Sequence, residues 1–216
     1  MRVLGLDPSL TGFGWAVHDT EAEGRDRCPR RGRWKTKAKD LFVDRYIWMR
    51  ENVRGLVHEM EVQRLGVEFP IFGESYSPGM YGLFLYTCEA LRQEGRDVVF
   101  LSPGQTKAHA RLFLKRPTKP TLWVMGKTDM VEAAKKDSGG RGRWSHDEAD
   151  AYWAARTGAR FWQFFEGAIQ ERDLTPIERK QFAKIHTFKK GPRAGKTVKP
   201  GILFREDERF FRWSEE

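Results

Sequence analysis

Cysteine is scarce in this 216-residue chain, and long apolar runs are missing. The two cysteines, Cys28 and Cys88, are too few for a disulfide framework, and they do not stand in a spacing typical of a metal site. No apolar stretch approaches the ~20 residues that a membrane span requires. The N-terminus also lacks the basic and apolar regions of a signal peptide. We therefore expect a cytoplasmic protein with reduced thiols and no membrane partner.

Positive charge is in excess, with 39 Lys and Arg against 30 Asp and Glu and a formal net charge of +9. Such a surplus attracts polyanions, so nucleic acid is the first partner to consider. Residues 187–201 carry five Lys or Arg and no acid. The length suits one well-buried core. We predict one domain over residues 1–160, followed by a helical and basic C-terminal extension over residues 161–216.

The order of apolar segments predicts the fold. The segments VLGL and FGWAV indicate a hairpin, and residues 32–36 offer a third strand. A helix, a strand, a helix, a strand and further helices follow. Because helices connect the later strands to the first, those strands should run parallel to it. We therefore predict an α/β fold with a mixed five-stranded sheet flanked by helices, and helix caps at Asp40, Ser102 and Ser145.

Four carboxylates occupy positions that favour chemistry. Asp7 ends the apolar run VLGLD, and Glu68 ends the run LGVE. A carboxylate at the end of a buried strand is costly unless it is solvated, paired or bound to a metal. If these two strands are neighbours, the two acids meet. Asp147 and Asp150 are three residues apart on one helix and share a face. Together the four acids would form an oxygen-rich site suited to Mg²⁺ or Mn²⁺.

Each acid also has an ordinary structural interpretation. Asp7 precedes Pro and Ser and can form a turn, whereas Glu68 can pair with an arginine. Asp147 can interact with the helix dipole, and Asp150 can be a solvated helix residue. The combination with a basic surface and this order of elements favours a site. Glu74, in GESYSPG, is an alternative to Glu68 but lacks a strand before it.

The sequence LGLDPSLTGFGWAV resembles the opening strand and hairpin of the RuvC-type Holliday junction resolvases, within the ribonuclease H-like superfamily. The segments GVE, LSPGQTK, GKTDMV and DEADAYWAA resemble four later motifs of that family, in the same order. The resemblance covers residues 1–157. It implies a homodimer that nicks two opposed strands of a four-way DNA junction. The extension has no counterpart in the family pattern. The host is open, and an unfamiliar tail with divergent middle motifs is compatible with a phage resolvase.

The resemblance also implies roles for individual residues. Two Mg²⁺ ions, for which Mn²⁺ could substitute, would be held at the scissile phosphate by Asp7, Glu68, Asp147 and Asp150. No organic cofactor is expected. Lys107 and Lys127 would contact the DNA backbone or support the transition state. His146 is a further candidate beside the ligands, because some relatives place a His among them. The other DNA-binding candidates are Arg141, Arg143, Phe72 and Tyr76, and the last two are candidates for an aromatic wedge that opens the junction.

Two other functions stay open at this point. A non-catalytic nucleic-acid-binding module would use the same basic face, although four acids beside phosphate bring it no advantage. Actin-like and sugar-kinase ATPases also begin with a strand that ends in Asp before a Gly/Thr hairpin. Their opening has Gly two residues after that Asp, where this chain has Ser9. They also need a second, duplicated lobe, for which 216 residues are too few.

Overall fold

A computed structural model of the chain describes residues 1–68, 78–114, 125–140 and 142–182, together with three short strands beyond them. The strands are β1 (Arg2–Asp7), β2 (Phe13–Asp19), β3 (Arg31–Trp34), β4 (Arg64–Glu68), β5 (Asp97–Leu101), β6 (His186–Thr187), β7 (Thr197–Val198) and β8 (Ile202–Phe204). The α-helices are α1 (Phe42–Glu59), α2 (Pro78–Gln93), α3 (Pro103–Ala110), α4 (Lys127–Ser138), α5 (His146–Phe165) and α6 (Pro176–Phe182). Across the described ranges, every helix is too short or too polar to span a bilayer.

The main sheet has the strand order β3-β2-β1-β4-β5-β8. The first three strands are antiparallel, whereas β4 runs parallel to β1 and β5 runs parallel to β4. The predicted five-stranded mixed sheet is confirmed. A sixth strand, β8, pairs antiparallel with β5, and β6 pairs with β7 in a separate small sheet. The C-terminal extension is therefore not purely helical, because its apolar segment ILF supplies a strand to an open sheet edge.

The two faces of the sheet are covered differently. One face carries large apolar side chains that pack against α1 and α2, including Leu4, Leu6, Leu65 and Val67. The other face carries glycines under α5. A Cβ atom at Gly5 would lie 1.9 Å from the carbonyl oxygen of Ala151, and one at Gly66 would lie 2.3 Å from that of Ala154. Helix α5 therefore packs its backbone directly onto β1 and β4, which only glycine permits at these positions.

Two of the three predicted helix caps are confirmed. Ser102 and Ser145 each form a reciprocal capping box with the residue three positions later. The predicted cap at Asp40 is wrong. Its carboxylate accepts a hydrogen bond from the backbone N–H of Lys37 at 3.0 Å, and α1 begins after Leu41. The Asp40 side chain is therefore used by the preceding turn and is not available to the helix.

Helix α5 continues without a break past residue 160, the predicted end of the first domain. Just beyond that point the indole N–H of Trp162 donates to the carbonyl oxygen of Leu65 at 3.1 Å. Further along, the buried carboxylate of Glu178 in α6 lies 2.8 Å from Arg160 Nε and 3.3 Å from His109 Nε2. The extension up to residue 182 therefore packs onto the sheet domain through apolar and ionic contacts.

Candidate active site

Asp7 and Glu68 lie at the ends of two adjacent parallel strands. Leu6 of β1 is paired with Val67 of β4, so the next residues along each strand come side by side. Side chains alternate between faces along a strand. Asp7 and Glu68 therefore share the face on which the strand glycines meet α5. The prediction that the two acids meet required β1 and β4 to be neighbours, and they are.

The first turns of α5 bring two more acids to the same end of the sheet. Ser145 caps the helix, since its hydroxyl accepts the N–H of Glu148 at 3.2 Å while the Glu148 carboxylate accepts the N–H of Ser145 at 2.7 Å. A Cβ atom at Gly14 would lie 2.1 Å from the carbonyl oxygen of Asp147. The start of the helix thus rests directly on β2, and this contact positions Asp147 and Asp150 near the strand ends.

The pKa of Asp7 is raised well above its ordinary value. Burial is the largest cause, followed by the negative charges of Glu68, Asp150 and Asp147. The positive charge of Lys127 acts in the opposite direction. The three other predicted acids therefore lie close enough to Asp7 to raise its pKa, as a shared site requires.

Glu68 has a pKa raised to about 7. Burial is again the main cause, and the charge of Asp150 adds to it. Two groups on α3, which follows β5 directly, oppose the rise. The hydroxyl of Thr106 lies 3.3 Å from Glu68 Oε2 as a hydrogen-bond donor, and Lys107 contributes positive charge. Thr106 was not predicted from the sequence as a site residue, because no sequence pattern distinguishes a buried helical Thr that contacts a site.

Asp150 also has a raised pKa, mainly through burial and further through the charge of Asp147. Lys107 and Lys127 both lower it, as does the exposed His146 at the start of α5. The two lysines predicted at the site therefore lie near the acids, although they come from different helices. The site thus combines carboxylates with fixed positive charge beside them.

Asp147 has a partner that the sequence did not predict. Its Oδ2 atom lies 2.8 Å from Nε of Arg33, on the edge strand β3. Two residues earlier, Arg31 Nε lies 3.8 Å from Oε1 of Glu148. The alternation in RGRW was the available signal, because arginines two apart on a strand share a face. This pattern is weak evidence by itself, because the sequence does not show that the start of α5 lies against that face of β3.

The acids match a divalent metal ion in donor type. They offer only carboxylate oxygens, which Mg²⁺ and Mn²⁺ prefer. A cation would offset the repulsion that, after burial, raises the pKa values of Asp7, Glu68 and Asp150. Within residues 1–68, 78–114, 125–140 and 142–182, however, no three His, Cys, Asp or Glu side chains already form a group that could hold a metal ion. The four acids therefore have the right donor atoms for such an ion, but the described side chains are not already gathered around one metal position.

Some predicted site residues cannot be placed. Arg143 is exposed just before α5, and its contact with DNA stays a prediction. Glu74, Phe72, Tyr76 and Arg141 lie outside the described residues. The choice of Glu68 over Glu74 is supported by the position of Glu68, whereas the wedge and the role of Arg141 stay predictions.

Comparison with known proteins identifies the fold. No protein-family model matches the sequence, and no curated protein matches it. Among solved structures, Thermus thermophilus RuvC in complex with Holliday junction substrate matches with a TM-score of 0.61 and 18% identity, over 76% of this chain and 95% of that chain. A second Thermus thermophilus RuvC structure matches with a TM-score of 0.60 and 22% identity, over 76% and 96% of the two chains. The chain therefore has the RuvC fold that its motifs resemble.

Proposed function

We propose that this protein is a metal-dependent, structure-selective endonuclease that resolves four-way DNA junctions by paired phosphodiester hydrolysis. The observation that carries the proposal is the shared electrostatic site at the ends of β1 and β4. There the charges of Glu68 and Asp150 help to raise the pKa of Asp7, and the charge of Asp150 helps to raise that of Glu68. Two lysines beside them lower the pKa of Asp150. The RuvC fold supports it, since one of the matching structures is bound to a Holliday junction.

In this proposal two Mg²⁺ ions would be held by Asp7, Glu68, Asp147 and Asp150. Such ions supply an activated water and stabilise the leaving oxygen of a phosphodiester. The protein's own contribution is to keep the carboxylates ionised and to attract the phosphate. Lys107 and Lys127 do both, because their charges lower the pKa of Asp150 and would face an incoming phosphate. The hydrogen bond from Thr106 favours the ionised form of Glu68.

We further propose that the protein acts as a homodimer. One chain supplies one set of four acids, so two opposed nicks in a junction require two chains. Helices α1 and α2 expose large apolar side chains, which is typical of a surface that another protein covers. They are Leu41 at the start of α1, then Phe42, Val43, Ile47, Trp48, Tyr81 and Leu85. Light scattering should show a dimer, which Ile47→Glu with Leu85→Glu should dissociate and Leu112→Glu, at another exposed site, should not.

The alternatives are less well supported. An ATPase of the actin-like or sugar-kinase type needs two related lobes, and the described part of the chain contains a single sheet of this kind. A silent DNA-binding module would not benefit from half-buried acids that repel one another and would repel phosphate. Because the second alternative shares the basic surface, it has to be separated by a measurement of cleavage.

The decisive experiment incubates the protein with a synthetic four-way junction and Mg²⁺, beside an Asp7→Asn variant. We expect wild type to give paired nicks and the variant to bind without cutting. The matched control is Asp26→Asn, at an exposed position, which should cut as wild type does. A linear duplex of the same sequence tests selectivity for structure. Cleavage by Asp7→Asn would remove Asp7 from the mechanism, and no cleavage by wild type with Mg²⁺ or Mn²⁺ would favour the binding module.

A further inference from the structure

We propose that Arg33 is an exchangeable partner of Asp147. In the free protein Arg33 binds the Asp147 carboxylate, with Nε 2.8 Å from Oδ2. When a divalent cation takes Asp147, Arg33 would be released to a phosphate of the nucleic acid. This inference rests on the proposed function and deepens it, because it connects metal loading to phosphate binding through one positioning residue.

The ion pair occupies a space prepared by a glycine. Gly12 lies in the turn between β1 and β2, directly after the strand that ends in Asp7. A Cβ atom at Gly12 would lie 2.7 Å from Arg33 Nε and 2.9 Å from Asp147 Oδ2. Contacts this short mean that any other residue at position 12 would force the ion pair to move. The hairpin turn therefore leaves room for Arg33 and Asp147 to meet beside the strand end.

The exposure of the pair suits exchange. The side chains of Arg33 and Asp147 are 36% and 26% exposed, so water screens their attraction and a competing ion can reach them. A buried ion pair of the same chemistry elsewhere in the domain provides a comparison. Asp137 is 1% exposed and is bound by Arg27 at 2.9 Å, by Arg156 at 3.0 Å and by the Tyr152 hydroxyl at 2.7 Å. Several groups hold that buried carboxylate at once, whereas Arg33 and Asp147 lie where water and other ions reach them.

The two ligands in the exchange have related chemistry. Guanidinium binds carboxylate and phosphate in the same forked geometry, so Arg33 needs no new binding mode to move from one to the other. A divalent cation on Asp147 would repel the guanidinium and weaken the pair. A polyanionic substrate beside the site then offers Arg33 the nearest free anion. Metal and nucleic acid would therefore favour each other's binding.

Metal binding without nucleic acid provides the first test. Mn²⁺ is titrated into each protein and free Mn²⁺ is followed by electron paramagnetic resonance. Arg33→Gln should bind Mn²⁺ about threefold to tenfold more tightly than wild type, because Asp147 no longer has a competing partner. Arg172→Gln removes the same charge from an exposed position beyond the far end of α5 and should bind as wild type does. In an Asp147→Asn background, Arg33→Gln should have no effect.

Junction binding without metal provides the second test, measured as the dependence of affinity on salt. Asp147→Asn should steepen the logarithmic slope by about 1, because it frees Arg33 for one phosphate. Adding Arg33→Gln should abolish that gain, whereas adding Arg172→Gln should preserve it. Weaker Mn²⁺ binding by Arg33→Gln would overturn the inference but not the proposed function. So would unchanged Mn²⁺ binding by Arg33→Gln together with an unchanged salt slope in Asp147→Asn. A wild type that binds neither Mn²⁺ nor the junction would refute the proposed function and the inference with it.

Discussion

The hydroxyl of Thr106 donates a hydrogen bond to Glu68 Oε2 at 3.3 Å, at the point where β4 ends and α3 begins beside it. The same hydroxyl also lies 3.1 Å from the carbonyl oxygen of Pro103, so its proton is shared between two acceptors. The bond to Glu68 lowers the pKa of a carboxyl that burial raises to about 7. Thr106 therefore adjusts the protonation of a proposed metal ligand within the physiological pH range.

Thr106→Val should raise the pKa of Glu68 above about 7, because the hydrogen bond to the ionised form is removed. The measurement is a pH titration of the Glu68 side-chain carboxyl carbon by NMR in the presence of a metal chelator. Thr106→Ser keeps the hydroxyl and should leave the pKa unchanged. An unchanged or lower pKa in Thr106→Val would show that the shared proton is directed mainly to Pro103.

Glu68→Gln should stabilise the metal-free protein at neutral and alkaline pH. Folding raises the Glu68 pKa from 4.5 to about 7, so the folded state binds more protons than the unfolded chain in that window. Its stability must therefore fall as pH rises from about 4.5 to about 7. Gln avoids this loss, and we expect a gain on the order of 2–3 kcal/mol at pH 8 that vanishes near pH 4.

Urea unfolding at several pH values, with chelator present, measures this gain. Glu171→Gln, at an exposed position, serves as the control and should leave the pH profile as in wild type. Added Mg²⁺ should stabilise wild type more at pH 8 than at pH 5, because ligating carboxylates must be deprotonated. A Glu68→Gln profile parallel to that of wild type would contradict the assigned environment.

Gly66→Ala should separate α5 from the sheet. The new Cβ would lie 2.3 Å from the carbonyl oxygen of Ala154, a distance that only a movement of the helix can relieve. We expect a loss of about 2–4 kcal/mol in the free energy of unfolding and weaker Mn²⁺ binding, because Asp150 moves with the helix. Gly55→Ala is the matched control, since nothing lies within 4 Å of its Cβ in the exposed part of α1. It should stabilise the protein by about 1 kcal/mol, and equal effects of the two variants would refute the close packing.

Glu178→Gln should detach α6 from the domain. Burial by itself would raise the Glu178 pKa, but hydrogen bonds from His109 and Arg160 lower it below the ordinary value. The interaction therefore contributes stability above the unfolded pKa and loses it as pH falls. Removing one charge from this buried group should cost about 3–5 kcal/mol, and limited proteolysis should cut the extension faster than in Asp26→Asn, at an exposed position outside the extension. Equal cleavage rates would show that apolar contacts alone hold α6.

Much of the site followed from local rules in the sequence. Two short apolar runs, each ending in an acid, predicted that Asp7 and Glu68 meet. Side chains alternate between the faces of a strand, and parallel neighbours end at the same edge of the sheet. Spacing along a helix predicted Asp147 beside Asp150. The partner of Asp147 could not be predicted in this way. The position of Arg33 depends on the register of β3 against β2, and a long connection separates these two strands. Strand β8 was missed for a similar reason, because its partner β5 lies about a hundred residues earlier.

The basic segment 187–201 should contribute to DNA affinity without contributing to the fold of the sheet domain. Deleting everything beyond residue 186 would also remove β8, which pairs with β5, so substitution is the cleaner test. Replacing its five Lys and Arg with Gln should weaken junction binding and lower the salt slope by about 0.9 for each phosphate that the segment no longer neutralises. The midpoint of urea unfolding should not move. An unchanged slope with a changed dimer fraction would instead assign the segment to contacts between chains.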